Sequence, residues 1–170
     1  AIAEPRGLKI PREYYQPLPD FLPCLSHCCK TPDFDFYAFY YRDAVHTNSY
    51  TMENAWLDEA AQLDPYSYTI AINAEVGRKK RLHDGSPVWV ETETGRKVKG
   101  RLKLMQGIHP EGLGIAACAG HWAEGMPMAK GKGIAYNELL EIDWEHVSPV
   151  NLNLDLCVRV KVTLAEERSQ

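Results

Sequence analysis

Between residues 97 and 104 the sequence alternates without error. Val98, Gly100, Leu102 and Leu104 fall on one side, and Lys97, Lys99, Arg101 and Lys103 on the other. Successive side chains of a strand point to opposite faces, so this period of two predicts a strand with one buried and one wet face. Upstream, Val88-Trp89-Val90-Glu91-Thr92 has strand composition, and Glu93-Thr94-Gly95-Arg96 supplies a glycine-containing connection, so the two runs predict a β-hairpin. The basic row reads as a solvated outer face. With 19 Lys and Arg against 23 Asp and Glu, a net charge of −4, a dedicated nucleic-acid binder is not expected. No apolar run approaches the ~20 residues that cross a bilayer, so direct membrane insertion is not expected either.

Around this hairpin, residues 34–41, 69–72, 115–118 and 154–164 read as strands. Residues 52–63 place Met52, Ala55, Trp56, Ala60 and Leu63 near helical spacing, and Asp64-Pro65 ends the run. Asn73 is suited to cap a short helix over 74–81, because its side-chain oxygen can accept from the free first-turn N–H groups. Residues 137–140 fit one helical turn. About six short strands with few helices favour a mainly-β barrel over an open parallel sheet. The first 33 residues differ: they hold six of the eleven prolines (Pro5, Pro11, Pro17, Pro19, Pro23 and Pro32). Proline removes a backbone donor, so residues 1–33 are expected as an extended lead-in ahead of a barrel domain over 34–170. Apolar residues in the lead-in (Leu8, Ile10, Tyr14, Tyr15, Phe21, Leu22 and Leu25) predict that it wraps over this domain or a neighbour.

Nucleophile constellations are not visible: Ser26, Ser49 and Ser86 lack the Gly-x-Ser-x-Gly elbow. The five cysteines form neither a disulfide framework nor paired zinc motifs, although Cys24, His27, Cys28 and Cys29 cluster. Gly125 to Gly133 contains Lys130-Gly131-Lys132-Gly133 but lacks the Gly-Lys-Ser/Thr ending of a phosphate loop. The polar run from Arg42 to Thr51 offers almost nothing to a core. It is either a plain turn or a cradle in which Arg42 meets phosphate oxygens and Asp or Asn side chains meet base edges.

In order and spacing these features resemble the C-terminal molybdopterin-guanine-dinucleotide-binding domain of the dimethyl-sulfoxide-reductase family of molybdenum and tungsten oxidoreductases. The resemblance covers about residues 34–163. It runs through the Arg42 to Thr51 loop, Asn54-Ala55-Trp56-Leu57 and Ile72-Asn73-Ala74-Glu75. Next comes Leu82-His83-Asp84-Gly85-Ser86-Pro87-Val88-Trp89-Val90, similar to the family's Ile-x-Asp-Gly-Asp-x-Val-x-Val. Gly107-Ile108-His109-Pro110-Glu111-Gly112, Gly120-His121-Trp122, Gly133-Ile134-Ala135-Tyr136-Asn137-Glu138-Leu139 and Val158-Arg159-Val160-Lys161-Val162 complete it. Two positions depart from the pattern: Ser86 replaces an acidic residue, and Asp155 stands where a basic or polar contact is usual.

The resemblance implies an aspartate-decarboxylase-like double-psi β-barrel of about six strands with short helices. It implies two molybdopterin guanine dinucleotides that chelate one Mo or W, bound jointly with other domains that bring the metal ligand and the iron–sulfur cluster. The cofactor-binding residues it implies are Arg42, Asp43, His46, Thr47, Asn48, Ser49, His121, Trp122 and Asn137, with no catalytic residue in this chain. The implied partners are the rest of the catalytic subunit and an Fe-S electron-transfer subunit. On this reading the loops at 42–51 and 119–137 form a polar concave face. Two alternatives stand beside it: a non-catalytic barrel that binds a protein partner through an exposed apolar patch, and a separate small subunit of a tungsten enzyme.

Overall fold

The computed structural model describes residues 14, 16–18, 20–28, 31–148 and 152–165; Pro5, Leu8, Ile10, Pro11, Tyr15, Pro19 and Cys29 lie outside them. Six strands, β1 (Phe36–Tyr41), β2 (Thr69–Asn73), β3 (Pro87–Thr92), β4 (Lys97–Met105), β5 (Gly112–Ala116) and β6 (Val158–Leu164), close a barrel in the order β1-β5-β2-β4-β3-β6. Among the described residues three short α-helices accompany them: α1 (Leu25–Cys28), α2 (Ala55–Leu63) and α3 (Ala74–Lys79). The expected mainly-β, six-stranded barrel is therefore the observed fold. Two of its pairings, β1 with β5 and β2 with β4, are parallel, and the other four are antiparallel.

Strand composition dictates the wall. On β4, Val98 and Leu102 are buried while Lys97, Lys99 and Arg101 are exposed, as the alternation requires. Phe36, Ala38, Ile70, Ile72, Val88, Val90, Leu113, Ile115 and Val160 face the same interior. The end of the barrel next to this core is plugged from the long β5–β6 connection by Ile134, Tyr136, Leu139 and Leu140. Gly100 makes room for the plug, since a Cβ there would stand 2.7 Å from both Ile134 Cγ1 and Ile70 Cδ1.

β5 begins three residues before its expected start. Gly112 and Gly114 read as turn residues, yet they are strand residues whose missing side chains are replaced by aromatic cover. Phe39 pairs with Gly114, and the Phe39 and Tyr41 rings lie 3.2–3.5 Å from where Cβ atoms on Gly112 and Gly114 would be. This explains the aromatic density of β1: one of its faces fills the core and the other covers a glycine-rich neighbour.

Asn73 ends β2 and caps α3 as expected. Its Oδ1 accepts from the N–H groups of Glu75 (2.9 Å) and Val76 (3.3 Å), and its Nδ2 donates to Ile108 O at 2.8 Å. In the lead-in, α1 lies against the barrel. The Ser26 hydroxyl donates to Cys157 O, and the His27 ring meets Tyr37 edge-on at 5.4 Å.

Gly100→Val tests the plugged interior. Overpacking at this point is expected to cost about 1–3 kcal/mol, read as a lower urea midpoint with an unchanged slope.

Candidate functional site

Strand direction decides where the loops go. β1 and β5 run parallel, with Tyr41 opposite Ala116 and Ala117 N–H donating to Tyr41 O at 2.9 Å. The segments that follow them, 42–68 and 117–157, must leave the barrel at the same end. Following the pairings around the barrel, the β3–β4 hairpin turn is also at this end, while residues 74–86 and 106–111 are at the other.

The two long segments are then clamped together. Asp58 on α2 is buried, and Lys132 from the β5–β6 connection reaches its Oδ1 at 2.6 Å, while Gln62 Nε2 donates to Oδ2 at 3.2 Å. Glu53 accepts from the N–H groups of Met128 (3.2 Å) and Ala129 (2.8 Å). Met52, Ala119 and Ala129 pack beneath as a second small core. Gly120, at φ +91°, lets the connection double back, since a Cβ there would stand 1.9 Å from Ala135 N.

Tyr68 and His46 extend the clamp into the barrel end. The Thr51 hydroxyl donates to Asn48 O (2.6 Å), so toward His46 it can only accept, and His46 Nδ1–H donates to it at 3.1 Å. The Tyr68 hydroxyl lies 2.8 Å from Nε2 and donates to Asp58 Oδ1 at 3.2 Å. One hydroxyl proton thus stands between an imidazole and a carboxylate. Burial and the Asp58 charge push the Tyr68 hydroxyl well above the usual tyrosine range. Burial alone would raise the Asp58 carboxyl, but Lys132, Tyr68 and Gln62 outweigh it and hold it below its ordinary value.

The nine residues singled out from the sequence divide by what they touch. His46 is 2% exposed with both ring nitrogens engaged by this chain. Asp43 is also buried, accepting from Val45 N–H at 2.8 Å and the Ser67 hydroxyl at 2.5 Å. Arg42 is exposed and donates from Nη1 to Thr47 O. Asn48 uses Oδ1 on Tyr50 N–H, Thr47 is exposed and Ser49 is half-buried. His121, Trp122 and Asn137 are exposed on the other segment, and Lys130 Nζ lies 4.3 Å from the Trp122 ring centre.

Arg42 stands at the mouth of a groove of about 390 Å³ on the barrel's outer wall, lined among others by Phe39, Tyr41, Tyr66, Met105 and Ile108. Its walls are mainly aromatic and aliphatic. Tyr41 lies in this groove, where burial and the charges of Asp43 and Asp64 push its hydroxyl up to about 12, so it stays a donor at neutral pH. The sequence signal for the groove is the aromatic run of β1, which supplies Phe39 and Tyr41. A second cavity of about 440 Å³ beside the β3–β4 turn, lined by Ser26, Cys28, Glu141, His146 and Arg159 among others, contains none of the nine residues. Among the described residues no group of three His, Cys, Asp or Glu is placed to hold a metal ion, and no helix is long and apolar enough to cross a membrane.

Neither a family model nor a curated protein matches the chain. A solved structure does. The barrel shares its fold with acetylene hydratase from Pelobacter acetylenicus. The TM-score is 0.62 over 78% of this chain, at 19% sequence identity. This chain spans 18% of the acetylene hydratase chain, so the same fold forms a minor part of a much longer polypeptide there.

Asp58 generates a pH prediction. Folding holds its carboxyl below the unfolded value, so its contribution is complete above about pH 4 and is lost as acid carries the pH through the lower folded value. A double-mutant cycle of Asp58→Asn and Lys132→Met is expected to show about 1–3 kcal/mol of coupling at pH 7. Chemical denaturation at pH 3 should find that coupling diminished.

Proposed function

We propose that this barrel is the cofactor-binding domain of a molybdenum or tungsten oxidoreductase, holding one molybdopterin guanine dinucleotide at the end of the barrel where the 42–51 and 119–137 segments meet. The observation that carries this reading is that meeting, forced by the parallel β1–β5 pair and locked by Asp58 with Lys132 and by Glu53 with residues 128–129. The order of motifs and the fold shared with a far longer enzyme support it.

The exposed residues suit the ligand. Arg42 has guanidinium N–H groups for a diphosphate, and charge-assisted contacts of this kind are among the stronger hydrogen bonds. The Asn137 amide and the His121 ring can meet polar edges of a heterocycle, and Trp122 offers an aromatic face. Asp43 and His46 act one step back: they fix the backbone from which Arg42, Thr47 and Asn48 project. When bound, the cofactor supplies the redox chemistry of the metal, and this chain binds and orients it. The metal ligand and iron–sulfur cluster belong to other domains on this reading, and an Fe-S electron-transfer subunit is the expected partner of the whole enzyme.

Calorimetric titration of the chain with GDP, a probe for the guanine and diphosphate, tests the assignment. Arg42→Ala and Asn137→Ala are each expected to weaken binding about tenfold, which corresponds to one charged or well-placed hydrogen bond. His46→Ala is expected to act chiefly on stability. Unchanged affinity in both exposed-residue variants would remove the site.

A further inference from the structure

α2 leaves two of its large apolar side chains outside. Its buried positions are Asp58 and Ala61, whereas Trp56 is 83% and Leu63 86% exposed. At 1.5 Å and 100° per residue, positions 56 and 63 share one face about 10 Å apart, with Ala60 between them and Glu59 alongside. The 3-10 turn Ser49–Glu53 that leads into the helix adds Tyr50, 91% exposed. The apolar stripe of a surface helix ordinarily faces a core. Here the inner side is held by the Asp58–Lys132 clamp, and the stripe faces away from the barrel. Trp56, Ala60 and Leu63 keep the helical spacing seen in the sequence and are all exposed.

The surroundings of the stripe describe its occupant. Glu59 is exposed and Asp64 half-buried, and neither has an ion pair among the described residues. Lys132, which does reach α2, is engaged by Asp58. A second copy of this chain packed on the same face would bring Glu59 and Asp64 against their like without counter-charge, which opposes self-pairing. A surface with an apolar centre and Lys or Arg at its rim fits both features. We propose that this face is where the barrel packs against another part of a larger enzyme, Trp56 and Leu63 filling an apolar depression and Glu59 and Asp64 meeting basic residues around it. This rests on the reading of the barrel as one domain of a longer protein, as it is in acetylene hydratase, where the match covers 18% of the chain.

The test uses the full natural protein that carries this chain. Hydroxyl-radical footprinting is expected to show Trp56 oxidised at least about tenfold more slowly than in the same protein unfolded in denaturant. Carbodiimide is expected to join Glu59 or Asp64 to a lysine outside these 170 residues. Trp56→Ala, a change at an exposed position that leaves the clamp intact, is expected to weaken the contact about 30-fold, as loss of a central aromatic anchor does, and to lower the cross-link yield. Trp56 oxidised as fast as in the unfolded protein, or a cross-link joining two copies of this chain, would overturn the proposal. GDP binding measured on the same preparation separates the two readings: its loss with Trp56 still protected rejects the nucleotide site and leaves the interface standing.

Discussion

The parallel pairing of β1 with β5 is the constraint from which the rest follows. A parallel pair cannot be closed by a tight turn, so the chain between the two strands has to cross over, and whatever follows each strand emerges at the same end. One end of the barrel therefore carries 42–68 and 117–157, and the other carries short connections. The pair is possible at this register because Phe39 and Tyr41 supply the apolar surface that Gly112 and Gly114 lack.

Convergence alone would leave two long polar segments side by side. What holds them is charge and hydrogen bonding in a poorly solvated place: Lys132 on Asp58, Tyr68 between Asp58 and His46, and Glu53 on two backbone N–H groups. Such a network is stable only when every member is satisfied, which makes it a fixed scaffold for the exposed residues around it. It also holds the Asp58 side of α2 inward. The exposed Trp56 and Leu63 and the clamped loops are thus two consequences of one arrangement.

How much of this was legible in the sequence depended on whether the signal was local. The β4 alternation, the Asn73 cap and the strand count are properties of neighbouring residues and were readable directly. The start of β5 was not, because a glycine in a turn and a glycine covered by an aromatic from another strand look the same in one dimension. The face of α2 was not readable either: Asp58 is a plausible surface residue until Lys132, far along the chain, is placed against it. His46 illustrates the same limit at the site. Its position in a polar loop fits a ligand contact, while its burial against Thr51 and Tyr68 appears only in three dimensions.

The most direct test of the account is a backbone-amide NMR titration of the protein with GDP, following both ends of the barrel at once. The account expects shifts concentrated in 42–49 and 119–137, including the Arg42 and Asn137 amides, with 74–86 and 106–111 nearly unmoved. Shifts confined to the latter end, or none at saturating nucleotide, would contradict the claim that crossing strands build a dinucleotide grip.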